Sequence, residues 1–169
     1  AAFAQAAASA ERPVDVSGNV NITNKGISLV PSFTLGRPAA IFDLAVRKGD
    51  LGFEPQFRFG LDGKPWSFLL WWRYRVVTDG KFRLTVGGHP SYAFRTLRVA
   101  TGENERDVIQ ARRYVAGELT PTYLLTDKIS VGGYYLYSRG IGADVAPHTN
   151  FVAARTTLSN LRLGPHYSL

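Results

Sequence analysis

In the stretch FEPQFRFG, residues 53 to 60, Glu54, Gln56 and Arg58 take alternate positions between Phe53, Pro55, Phe57 and Phe59. The same spacing sets Asp43 and Arg47 against Phe42, Leu44 and Val46, and Arg73 and Arg75 against Phe68, Leu70, Trp72 and Tyr74. Strict alternation of this kind is the signature of strands with one apolar and one polar face. The chemistry within reach of the polar face is that of guanidinium and carboxylate: an ion-pair network, or a basic lining that favours small anions as rings of Arg and Lys do in pores. Asp43, Arg47, Glu54, Arg58, Arg73, Arg75, Arg83 and Glu118 form this candidate charge network. Phe53, Phe57, Phe59, Phe68, Leu70, Trp72 and Tyr74 form the face opposite it.

Other chemistries have weaker support. Ser138, Asp144 and His148 hold the right atoms for hydrolysis, but no nucleophile-elbow context surrounds them. No catalytic residue is therefore assigned, and the chain is not expected to be an enzyme. Glu103, Glu105 and Asp107 could gather a divalent cation, yet their spacing matches no calcium loop and Arg106 sits among them. His89, His148 and His166 lack zinc spacing and there is no cysteine, so neither metal nor cofactor is expected. The net charge of +7 points to an anionic partner without naming one. Nucleic acid fits poorly, because arginines and aromatics on opposite faces of one strand cannot build a single stacking platform.

The elements that position these residues read as successive strands with turns between them. Strands are expected over 26–36, 38–49, 53–60, 66–77, 81–100 (bending at Gly87 and Gly88), 110–125, 129–138, 150–158 and 161–169. Tight turns fall at Gly49-Asp50, Thr78-Asp79-Gly80 and Asp127-Lys128, and longer loops at 101–107 and 138–149. A left-handed glycine at Gly80 fits a three-residue hairpin loop. The hairpins then pair Val46 with Phe53, Leu44 with Pro55, Val76 with Phe82 and Tyr74 with Leu84. Glu54 falls opposite Arg73, with Arg47 diagonal to Glu54. Arg75 faces Arg83, an unfavourable pair unless a carboxylate or bound anion lies between them.

Short turns on one side and long loops on the other are the habit of up-and-down barrels in outer membranes. Strands of about ten residues and a crowded aromatic face agree with that. So does the dominance of arginine, with only five lysines among 20 basic residues, since Arg suits multidentate ion-pair networks. A soluble barrel or sandwich would instead turn the aromatic face inward. The opening AAFAQAAASA carries A-x-A patterns like the end of a secretory signal. Residues 1–18 are accordingly read as a signal remnant or flexible arm, and 19–169 as the barrel.

The run from SLVPSFTLG to GKPWSFLLWWRYR, with the later GGYYLYS, resembles a family of porin-like outer-membrane β-barrels from diderm bacteria, largely without assigned activity. The likeness covers residues 26–169, and GKPWSFLLWWRYR is its most specific piece. It implies a closed antiparallel barrel of roughly 10–12 strands. The nine strands counted here are odd in number, whereas bacterial single-chain barrels are even, so further strands are expected beyond Leu169. The resulting expectation is an outer-membrane β-barrel, acting as a passive channel or as a structural part of an envelope complex. Its partners would be membrane lipid, small anionic solutes and envelope proteins. The alternative is a soluble exported barrel that binds an apolar ligand.

Overall fold

The computed structural model describes residues 13–101, 104–159, 162–164 and 167–168. The signal-like segment, Glu103 and His166 lie outside them. Eight strands follow one another in an antiparallel, up-and-down sheet, and no α-helix occurs among the described residues. They are β1 (Val14–Thr23), β2 (Ala39–Lys48), β3 (Leu51–Gly60), β4 (Pro65–Val77), β5 (Phe82–Thr101), β6 (Asn104–Leu124), β7 (Ile129–Ile141) and β8 (Thr149–Leu158). Among the described residues no helix is long and apolar enough to cross a membrane. The sheet runs in order from β1 to β8 and does not close, since these two edge strands do not pair with each other. It is strongly curled nonetheless. Ser17 and Asn19 of β1 line the same cavity as Tyr134 and Leu136 of β7. Six inter-strand steps would hold those strands roughly 29 Å apart in a flat sheet.

Six of the expected strands stand, as β2 to β5, β7 and β8, with small changes at their ends. The first does not. Residues 26–36 form an in-folded loop with one turn of 3-10 helix at Pro31–Phe33, and the first strand is Val14–Thr23. That strand begins inside the stretch read as a signal remnant or arm. Its Val14, Val16, Val20 and Ile22 alternate with Asp15, Ser17, Asn19 and Asn21. The 26–36 loop leaves the sheet for physical reasons. Pro31 lacks the N–H that a ladder needs, Gly36 takes a left-handed φ of 76°, and Val30 finds better burial inside the curl. There Val30 packs with Trp71, Ala116 and Leu136, while Phe33 stands edge-on to Tyr114 at 5.1 Å. The Phe33 carbonyl accepts a 2.8 Å hydrogen bond from the Trp66 indole. Phe33→Ala is expected to cost about 2 kcal/mol, about half the value for a fully buried Phe, read as a shift of the denaturation midpoint.

The ninth strand is also revised. Arg162–Gly164 and Tyr167–Ser168 form a small hairpin of their own, hydrogen-bonded to each other and not to the sheet. The 101–107 loop is largely strand, because β6 begins at Asn104 and pairs with β5 as far as Thr101. Beyond Ala93 and Arg113 neither strand has an outer neighbour in the sheet. Eight pairs, from Phe94 with Ala111 to Thr101 with Asn104, therefore project as a two-stranded ribbon roughly 27 Å long. β5 itself passes Gly87 and Gly88 without a break.

The sidedness of the connections holds. Turns at 49–50, 78–81 and 125–128 lie at one end with the start of β1. The loops 24–38 and 142–148 lie at the other, with the projecting ribbon. Gly49 (φ 62°) and Gly80 (φ 74°) supply the left-handed residues that tight turns require.

Candidate functional site

Alternation along each strand divides the sheet into two faces. The convex face carries Val14, Val16, Val20 and Ile22 of β1, Phe42, Leu44 and Val46 of β2, and every member of the expected apolar set on β3 and β4. It continues through Tyr92, Leu119, Tyr135 and Val152. Neighbouring rings touch along it: Phe53 with Trp72 at 4.5 Å, Phe57 and Phe59 each with Phe68 at 5.4 Å, and Phe68 with Phe94 at 4.9 Å. Leu70 is half-buried among them. Yet the face has no cover among the described residues. Trp72 is 50% exposed, Val16 71% and Val152 75%.

The concave face holds the charged set. Arg73 is its hub: its Nε meets Glu118 Oε1 at 2.5 Å, and its Nη1 binds Glu54 Oε2. Its guanidinium also lies 4.4 Å from the centre of the Trp71 ring. Glu54 accepts a second arginine, Arg47, at 2.5 Å. Glu118 takes the Tyr134 hydroxyl at 2.8 Å, and its side chain is only 1% exposed. A second chain runs from Arg58 to Gln56 at 2.6 Å and from Gln56 to Asp43. Asp43 and Arg58 are thus joined through the Gln56 amide, and Arg58 also lies 5.0 Å from the Trp66 ring.

Two registers differ from expectation. Glu54 sits opposite Trp71, and Arg73 opposite Gly52. The slip is two residues, which keeps every side chain on its face, and the long Arg73 side chain closes the pair diagonally. Its source is the turn, which closes between Gly60 and Lys64; a one-residue bulge follows beside Arg58, where Trp66 turns into the curl and is buried. Arg75 lies opposite Thr85, and a second bulge pairs Val77 with Leu84, so the expected clash of Arg75 with Arg83 does not form. Arg75 instead donates to the Gly49 carbonyl at 3.0 Å. Arg83 faces Thr122 one row nearer the turns. The β2–β3 register is as expected, with Val46 opposite Phe53 and Arg47 diagonal to Glu54.

Two cavities open on the concave face. The first, about 500 Å³, lies toward the loops and is walled by Asp43, Gln56, Arg58, Trp71 and His89, with Val30 and Phe33 of the in-folded loop. Sequence reasoning missed His89, whose ring lies 3.8 Å from that of Trp71; its even spacing from Gly87 and Ser91 was the available signal. The second cavity, about 370 Å³, lies toward the turns and is walled by Arg47, Arg75, Thr85, Thr120 and Arg155. Glu54, Arg73 and Tyr134 border both, so the ion-pair hub stands between them.

The remaining candidates do not converge. Ser138 is buried on the concave side, while His148 pairs with Tyr137, which faces the other way, at 2.7 Å. Asp144 receives Gln110 instead. Asp107 is bonded by Lys64 at 2.9 Å, and that ammonium holds its carboxyl below the ordinary range. With Glu105 it faces Arg98, and no metal-ligating cluster occurs among the described residues. Searches against family models, curated proteins and solved structures returned no match.

Proposed function

We propose that the chain is an outer-membrane β-barrel of porin-like type, serving as a passive channel or as a structural part of an envelope assembly. The observation that carries this reading is the uncovered convex face. Eight strands at about 4.8 Å spacing present apolar and aromatic side chains over roughly 34 Å of width. A soluble monomer rarely exposes more than a few hundred Å² of contiguous apolar surface. Lipid is the solvent that such a face fits, with charges held on the concave side as barrels in membranes arrange them. The curl of the sheet supports closure, whether β1 meets β8 or further strands stand between them.

A second reading has its own support. The loop-side cavity includes Leu29, Val30, Leu69 and Leu136 among its walls, which would suit an apolar ligand in a soluble exported barrel. Detergent decides between the two. The membrane barrel should sediment with outer membranes and aggregate when detergent is removed. A protein monodisperse in plain buffer would overturn the first reading. Channel and structural roles then separate in planar bilayers, where steady ohmic current is expected of a channel and none of a structural component.

A further inference from the structure

We infer that the turn-side cavity is a binding site for a small oxyanion of the phosphate or carboxylate class. The arginines of the concave face differ in their partners. Those toward the middle are matched by carboxylates: Arg47 and Arg73 share Glu54, and Arg73 also holds Glu118. Arg58, toward the loops, is held by the Gln56 amide and the Trp66 ring. Toward the turns the arginines line open space. Arg75, Arg83 and Arg155 form no ion pair among the described residues, although Asp79 and Asp127 lie on the adjoining turns.

The sheet register brings these groups together. Arg75 of β4, Thr85 of β5 and Thr120 of β6 lie in one row across the sheet. The next row holds Arg83, Thr122, Gly132 and Arg155. Arg75 and Arg155 therefore reach the same space of about 370 Å³ from strands β4 and β8, with the hydroxyls of Thr85, Thr120 and Tyr134 on its walls. Gly132, beside Arg155, has no side chain to fill the row. Three carboxylates line the cavity. Glu54 and Glu118 are spent on Arg47 and Arg73, and Asp50, on the turn, is itself engaged. Guanidiniums with hydroxyls at their sides recognise planar or tetrahedral oxyanions through charge-assisted, often bidentate hydrogen bonds. An anion between them would also offset the like charges that share this end.

The inference rests on the concave face being wet, as the proposed function has it, but not on conduction. It is tested by titrating inorganic phosphate into the full chain in detergent at low salt, with calorimetry as the readout. Saturable one-site binding is expected. Arg75→Gln and Arg155→Gln should each weaken it roughly tenfold and the double variant should abolish it. Arg155→Lys should restore part of the loss, and Arg98→Gln on the ribbon should leave binding unchanged. Thr85→Val with Thr120→Val tests the same pocket without touching charge and should weaken binding several-fold. No saturable binding by the parent, or parental binding in both single arginine variants, would overturn the site. Binding without bilayer current would leave the site standing and remove the channel. Current without phosphate binding would do the reverse.

Discussion

Phe57→Arg is expected to block membrane assembly, while Arg58→Phe, one residue away, leaves an assembled protein. Phe57 stands on the convex face against Phe68, in the middle of the aromatic ladder. An arginine there would place a guanidinium among acyl chains, at a cost of about 2–4 kcal/mol at the bilayer midplane. It would also lose the ring contacts. Arg58→Phe removes the bond to Gln56 and the contact with Trp66. The new ring would lie against Trp66 at the edge of a cavity already partly apolar. The measurement is the fraction of each variant that reaches the outer membrane in a heat-modifiable, protease-resistant form. Assembly of Phe57→Arg as efficient as that of Arg58→Phe would mean that the convex face does not meet lipid.

Those two neighbours carry opposite expectations because alternation is the strongest signal in this chain. It placed all seven apolar candidates on one face and all eight charged candidates on the other, and it survived two register slips because each moved the pairing by an even number of residues. The slips themselves were not legible. The bulge beside Arg58 exists because Trp66 is drawn inward to the Phe33 carbonyl, a tertiary contact across 33 residues of sequence. The in-folded loop was misread for a related cause. GISLVPSFTLG alternates as well as any strand, but its Val30 and Phe33 serve the interior of the curl, and only Pro31 and Gly36 argued against a ladder. VDVSGNVNIT offered the same alternation with a better strand composition and lay too near the Ala-rich start to be weighed. Arg155 stood outside the candidate list as the lone ionisable residue of its strand, and His89 as a histidine without metal-ligand spacing; only the assembled rows of the sheet show what they face.

Arg73→Leu should be the most damaging substitution on the concave face. Glu118 is almost wholly enclosed, and Arg73 is its only cationic partner among the described residues. Removing the guanidinium leaves a buried carboxylate with the Tyr134 hydroxyl alone, and stranding one partner of a buried pair costs about 3–5 kcal/mol. Glu54 keeps Arg47 and suffers less. Denaturant or thermal unfolding in detergent measures the loss. Adding Glu118→Gln to Arg73→Leu should recover much of it, because a neutral amide still accepts from Tyr134 and carries no charge to desolvate. Arg98→Leu supplies the contrast: its carboxylate contacts, at 3.8 and 3.9 Å, are exposed on the ribbon, and water screens such pairs so that their loss is small. Equal losses from Arg73→Leu and Arg98→Leu would mean that water reaches Glu118 freely. The double variant probes a second consequence, since Arg73 stands between the two cavities. If the chain conducts, Arg73→Leu with Glu118→Gln should raise single-channel conductance, because the guanidinium that ties Glu54 to Glu118 across the passage is gone.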